Sequence, residues 1–339
     1  MSLSPAPTFV GRRNRPAGLA AGAPLTRVFG AEDALSLVAE EMAACEAALK
    51  QLLHSDVAAV PAVAGYLVDA GGKRLRPALT ALGCRAVGWK GDVPRLMAVG
   101  ELIHLGSLLH DDVVDEGVMR RGRSAAHRVY GNAVSVLSGD FCLARAVLLA
   151  AETGGHRAVT ALAEAVTRMA EGEVLQLRYV ADLTSTREAY HDVVDRKSAA
   201  LIAWCASAGA LAADEPNAAD ALRRFGRAAG RAFQITDDVL DYAEGTGKTR
   251  GNDLRERKAT LPLLIAIERD PSLVNAVLAP EADVQALLTA VARTGALEAA
   301  LEEARALARV AAEALRLLPP SDARDALFAL GRHLVERAS

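Results

Sequence analysis

The chain has 339 residues, 51% of them hydrophobic, and a net charge of −3. That length suits one large domain or two smaller ones, and the near-balanced charge gives no reason to expect nucleic acid. The longest uncharged apolar run, Ser198 to Ala213, is shorter than the ~20 residues that span a bilayer and reads as a buried helix, so no transmembrane segment is expected. Ala and Leu dominate while β-branched alternation is scarce, so an all-α chain is expected. Cys45, Cys84, Cys142 and Cys205 lack paired spacing and read as buried thiols of a reducing, cytoplasmic compartment.

Residues 1–30 are rich in Pro, Gly and Ala, carry Arg12, Arg13, Arg15 and Arg27, and have no acid before Glu32. They lack the apolar stretch of a secretory signal. An organelle transit peptide and a disordered tail both fit, and the tail is the expectation adopted, with the folded domain at 31–339. Helical spacing predicts a first helix over 31–53 and a second over 55–70, stopped by Gly71-Gly72. Lys73, Arg74 and Arg76 follow, just before Pro77, which can open the next helix. They form either a compact anion site or a solvated basic turn. A helix over 77–87 and a turn over 88–94 come next.

The helix predicted over 95–115 presents Gly100, Ile103, His104, Ser107, Asp111 and Asp115 on one face. His104 is either a satisfied core residue or a phosphate contact. The helix ends in Asp111-Asp112-Val113-Val114-Asp115, and a second DDxxD recurs at Asp237-Asp238-Val239-Leu240-Asp241. Carboxylates four apart share a helix face and destabilise it by roughly 0.2–0.5 kcal/mol per pair. One such cluster is common on a solvated face, but two inside apolar helices call for a cation. All-oxygen donors, with no Cys or paired His at ligand spacing, favour magnesium over zinc, its shell completed by water and substrate phosphate.

Arg120, Arg121 and Arg123 follow the first cluster and match phosphate geometry. Helices are predicted over 132–151 and 157–180, the second carrying Glu171, Gly172, Glu173 and Gln176. The next opens with a capping box, Ser185 to Glu188, and passes through Lys197-Ser198. Lys197 is either a cation at the mouth of an apolar cavity or a surface charge. The helix over 219–242 contains Phe233-Gln234-Ile235-Thr236 and then the second cluster. A Gly-rich loop with Lys248 runs to Asp253, and Lys258 precedes Leu261-Pro262. The remainder reads as packing helices, and no tandem repeat is present.

Taken together these residues resemble the trans-prenyl diphosphate synthases, the all-helical enzymes that elongate isoprenoid chains. The matches are GGKRLRP at 71–77, HDDVVD at 110–115, RRG at 120–122, GD at 139–140, Lys197-Ser198, FQITDDVLDY at 233–242 and GK…DL…K.TLP over 247–262. They occur in the family's order, and the resemblance covers residues 31–339. The resemblance implies a single-domain helical bundle around a deep apolar cavity, the isoprenoid synthase fold, with the acidic clusters facing each other at its mouth. It also implies a homodimer, Mg2+, and two substrates, isopentenyl diphosphate and an allylic diphosphate. By motif position, Lys73, Arg76, His104 and Arg121 would hold isopentenyl diphosphate. Asp111, Asp115 and Asp237 would hold metal, assisted by Asp112 and Asp241; with Asp238 and Lys197 these make up the expected catalytic set. Arg120, Lys197, Ser198, Gln234, Lys248 and Lys258 would hold the allylic diphosphate.

Two departures stand out. Arg257 occupies a position where the family usually has Gly, which questions the placement of Lys258, and Ser124 replaces a common Pro. Product length in the family follows pocket depth below the first cluster. Ile103, Gly106 and Ser107 are expected there, without the bulky aromatics of short-chain enzymes. That suggests a long all-trans product of the octaprenyl, nonaprenyl or decaprenyl kind, with a farnesyl or geranylgeranyl product as the alternative. A terpene cyclase needs no isopentenyl site, a non-catalytic partner subunit tends to lose an acidic cluster, and a plain helical scaffold would need all these motifs by coincidence.

Overall fold

The computed structural model describes residues 30–68, 74–120, 122–179, 182–243 and 250–336. The expected N-terminal tail, except Gly30, and Lys73, Arg121 and Lys248 lie outside the described residues. Sixteen helices account for most of the described chain: α1 (Ala31–Leu37), α2 (Ala39–Leu52), α3 (Ala59–Val68), α4 (Leu75–Ala86), α5 (Val93–Val114), α6 (Ala126–Tyr130), α7 (Asn132–Arg178) and α8 (Arg187–Val194) form the first half. α9 (Ala200–Ala212), α10 (Pro216–Tyr242), α11 (Asn252–Arg255), α12 (Leu261–Arg269), α13 (Leu273–Leu278), α14 (Val284–Arg293), α15 (Ala296–Leu315) and α16 (Asp322–Glu336) form the second. One π-helical turn, Asp195–Ala199, joins α8 to α9. The all-α expectation holds apart from a two-residue antiparallel ladder, β1 (Met119–Arg120) with β2 (Arg123–Ser124).

Local chemistry explains the boundaries. Asp92 caps α5 by accepting from Arg95 N at 3.2 Å, and Pro94 sits in the first turn, where its missing N–H costs nothing. The cap of α8 is Thr186, whose Oγ1 accepts from Ala189 N at 3.2 Å. The expected Ser185 box is therefore displaced by one residue, because the hydroxyl at 186 has the extended backbone a cap requires. The predicted first helix divides at Val38 into α1 and α2. The two helices predicted over 132–180 join end to end as α7, broken at Gly155 (φ 71°, ψ −172°), a conformation open essentially to glycine alone.

The core has two parts. The larger is built around α5, which is buried on almost every face and packs on α7, α4 and α2, and around α9, whose apolar run is buried as expected. The smaller lies under the C-terminal end of α10, where Ile235, Val239 and Tyr242 meet Leu261, Leu264 and Val291. α10 bridges both, so the second acidic cluster is anchored from below. α7 is long and apolar enough by length and composition to cross a membrane, yet it is broken at Gly155 and packs on α3, α5 and α9.

Glycines set the closest contacts. A methyl group on Gly139 of α7 would lie 2.4 Å from His110 Nε2 and 3.1 Å from the carbonyl of Gly106 on α5. The spacing of these helices therefore depends on bare backbone at both positions. Gly139→Ala is expected to destabilise the fold by about 1–3 kcal/mol through overpacking. Urea denaturation checks this, and an unchanged midpoint would contradict it.

Candidate active site

Both acidic clusters sit at helix C-terminal ends, the negative pole of the backbone dipole, so their charge is opposed by the helix as well as by neighbouring carboxylates. In the first cluster Asp111 is half-buried, Asp112 is 1% exposed and Asp115 is exposed. Burial pushes the Asp111 carboxyl up to about 6; Lys197 pulls it down, while Glu173 and Asp115 push it further up. Asp112 Oδ1 accepts from Arg120 Nε at 2.7 Å, and Asp112 Oδ2 is buried with no partner among the described residues. The small β1–β2 hairpin brings Arg120 back onto the helix end. Asp112 thus acts through Arg120, an expected allylic contact.

In the second cluster a hydrogen-bonded chain runs inward. Ser198 Oγ donates to Gln234 Oε1 at 2.8 Å, Gln234 Nε2 donates to Asp238 Oδ1 at 2.8 Å, and Tyr190 Oη donates to Asp238 Oδ2 at 2.6 Å. Burial pushes Asp238 up to about 7 against the pull of those two donors. Asp238 therefore fastens α10 to α8 and the π turn. Asp237 and Asp241 are half-buried and share the other face. Asp241 Oδ2 accepts from Asp253 N at 3.0 Å, which fixes the loop after the cluster. Burial, with Asp238 and Asp241 adding to it, raises Asp253 well above the carboxylate range.

A cavity of about 190 Å³ opens beside this chain, with Lys197, Ser198, Gln234, Asp238, Asp253 and Lys258 among its walls. Two lysines on its walls interact with the first cluster. Lys197 acts on Asp111, and Lys258 is acted on by Asp115 of the first cluster and by Asp253 beside the second. Burial opposes the charge on Lys258, but Glu256, Asp115 and Asp253 outweigh it and raise its pKa. Arg257 adopts φ 54°, the left-handed conformation that suits the family's usual Gly. The backbone path is kept, and Lys258 still reaches the cavity.

The π turn is what aims Lys197. Both oxygens of buried Asp195 accept from Arg227, at 2.5 Å each, and Arg168 adds a third bond. Arg196 is paired with Asp192 at 2.8 Å and Glu171 at 2.6 Å. Gly172 lets α7 approach so closely that a methyl there would lie 2.6 Å from Lys197 N.

Arg76 and His104, expected on isopentenyl diphosphate, are half-buried on the facing helices α4 and α5. A methyl on Gly100, one turn before His104, would lie 3.7 Å from Arg76 Cβ, and Arg76 Nε is buried with no partner among the described residues. Arg74 serves structure instead: it pairs with Glu46 and with Glu101, the latter at 3.0 Å. The chain-length trio separates. Ile103 is fully buried in the core, and Gly106 closes against Gly139. Ser107 stays half-buried, its Oγ donating to the His104 carbonyl at 2.9 Å.

Three residues at the site had been given no role from sequence. Tyr190 carried no signal. Asp253 follows the Gly-rich loop, and Glu173 lies in the Glu171-Gly172-Glu173 run already conspicuous on α7. No three of the described His, Cys, Asp or Glu side chains converge into a ready-made metal cage.

The polyprenyl synthetase family model matches residues 57–293. The chain belongs to the polyprenyl synthetase family. It is a prenyltransferase with the family's all-α isoprenoid synthase fold. It is 39% identical over 313 residues to octaprenyl diphosphate synthase of Escherichia coli, covering 89% of this chain and 97% of that one. Among solved structures it is similar to a Caulobacter crescentus polyprenyl synthase complexed with calcium and isoprenyl diphosphate, with TM-score 0.86, 40% identity, and 92% and 99% of the two chains covered. A decaprenyl diphosphate synthase from Rhodobacter capsulatus gives TM-score 0.86 and 37% identity, covering 91% and 99%.

Burial works against the charge on Asp195, but Arg227 and Arg168 outweigh it and hold the carboxyl below its ordinary value of 3.8. Its stabilisation is present above that value and is lost as pH falls through the lower folded one. Asp195→Asn is expected to cost about 1–3 kcal/mol at neutral pH. The gap to the parent should narrow below pH 3.8 in a series of denaturant titrations. A gap independent of pH would contradict this.

Proposed function

We propose that this prenyltransferase condenses isopentenyl diphosphate with an allylic diphosphate, repeatedly, to make a long all-trans polyprenyl diphosphate. The observation that carries this reading is that Lys197 and Lys258 line one cavity with Asp238 of the second cluster, while Lys197 acts on Asp111 and Lys258 on Asp115 of the first. The octaprenyl and decaprenyl activities named for its relatives support a long product.

A divalent cation, Mg2+ in this reading, fits the site. The donors are hard oxygens, Asp111 is pushed up to about 6 by burial, and Asp112 Oδ2 is buried without a partner among the described residues. Asp111, Asp115 and Asp237 would hold it. With no cage of three protein ligands among the described residues, water and diphosphate would complete the shell, as is usual for magnesium. When bound, it supplies positive charge that offsets the charge of the leaving diphosphate.

The chain's own residues do the rest. Lys197, Lys258, Ser198 and Gln234, with Arg120 released from Asp112, bind the allylic diphosphate and stabilise charge as the C–O bond breaks. Lys248 is assigned there too, by motif. Arg76 and His104, with Lys73 and Arg121 by motif, bind isopentenyl diphosphate, whose double bond attacks the allylic cation. Apolar walls exclude the water that would quench that cation. The proton lost afterwards passes to the departing diphosphate. Residues 31–339 act as one catalytic domain.

α7 exposes Leu137, Val147, Leu148, Val174 and Leu177, and Val118 and Met119 are exposed beside the first cluster. An apolar face of this kind suits burial against a second copy, so we assign a homodimer, to be checked by light scattering on the eluted protein. The four buried free cysteines, their thiols pushed up to about 12 by burial, support a cytoplasmic setting.

Incubation with magnesium, labelled isopentenyl diphosphate and farnesyl diphosphate should give long-chain products. No extension from any allylic primer would overturn the function and favour a non-catalytic subunit. Ser107→Phe, one turn before Asp111, should shorten the product. Identical product lengths would remove Ser107 from length control.

A further inference from the structure

Glu173 is used by none of the roles above, yet three elements meet at it. It stands on α7 facing the π turn, and its Oε2 lies 2.5 Å from Lys197 Nζ. Both side chains are largely buried, 19% and 25% exposed. The other oxygen, Oε1, is buried with no hydrogen-bond partner among the described residues. Half-satisfied carboxylates are costly inside a protein. The neighbouring residues show how closely the contact is built. Glu171 and Glu173 flank Gly172, and the two acids take the consecutive cations of the π turn: exposed Glu171 pairs with half-buried Arg196, Glu173 with Lys197. The bare backbone of Gly172 permits that approach. From the same position Glu173 acts on Asp111 of α5.

We propose that Glu173 is a positioning residue for the diphosphate chemistry: it aims the Lys197 ammonium at the allylic diphosphate, and its charge adds to that of Asp111 and Asp115 on the face that receives the divalent cation. This rests on the function proposed above. An ammonium on a flexible stem has many rotamers. A buried carboxylate at ion-pair distance restricts them before the substrate's charge arrives, so less ordering remains to be done in the reaction. The isopentenyl side, at Arg76 and His104 on α4 and α5, does not include this contact.

The test is Glu173→Gln, which keeps the shape and removes the charge. In the full-length enzyme kcat should fall roughly 10-fold to 100-fold, the scale of a misplaced catalytic group, while KM for isopentenyl diphosphate stays unchanged. Titration calorimetry with magnesium and inorganic pyrophosphate should show weaker binding, and Glu173→Asp should restore part of both losses. In a Lys197→Met background the Gln change should cost little more in kcat, because the two residues act as a unit. A variant that matches the parent in kcat and in the calorimetry would overturn the role, as would an equal loss with and without Lys197. A parent enzyme that extends no chain would overturn the proposed function and this inference together.

Discussion

Carboxylates forced together at the negative ends of two buried helices are the constraint on which the site depends. α5 and α10 each end in a DDxxD cluster. Dipole, mutual repulsion and burial all act against ionisation there. Raised carboxyls at Asp111 and Asp238 record that conflict, and burial with Asp238 and Asp241 raises Asp253 beside the second cluster. The chain offsets it in part, with Arg120 on Asp112, Lys197 near Asp111, and Lys258 between Asp115 and Asp253. Groups that carry both uncompensated oxygen donors and poised cations suit a ligand that is itself an anion bridged by cations.

Holding such a site demands rigid backbone, and the fold supplies it by close approach. Gly106 and Gly139 bring α5 and α7 together under the first cluster. Gly172 brings α7 against the π turn, and Asp195 ties that turn to α7 and α10 through Arg168 and Arg227. The inserted residue of a π turn breaks helical register, which re-aims side chains and is common at functional sites. Here it presents Lys197 to the cavity while Ser198 joins the chain through Gln234 to Asp238. Position, more than residue type, distinguishes Lys197 from an ordinary surface lysine.

Much of this was legible in the sequence. The Ala- and Leu-rich composition and helical spacing were enough for an all-α chain with a DDxxD cluster at the end of each of two helices, and the ordered motifs were enough for the family. Short-range chemistry misled at Ser185, where the next hydroxyl caps α8, and the break at Val38 left no composition mark. Ile103 and Gly106 share a helix with Asp111, but helix periodicity does not say which neighbour each meets; Gly106 closes against Gly139 of α7 and Ile103 is buried in the core. Tyr190 and Glu173 were invisible as site members because their partners, Asp238 and Lys197, are distant in sequence and brought near only by the π turn and α7. Arg257 shows the reverse: a departure from the family pattern that the backbone absorbs at a positive φ without losing Lys258.

The central claim is that the two acidic clusters serve one diphosphate rather than two separate ligands. Calorimetric titration of the full chain with inorganic pyrophosphate, with and without magnesium, tests it most directly when applied to Asp115→Asn, Asp237→Asn and the double variant. A shared site predicts magnesium-dependent binding that either single change largely removes, with the double variant hardly worse than the singles. Binding indifferent to magnesium, or losses that simply add as for independent sites, would contradict the account.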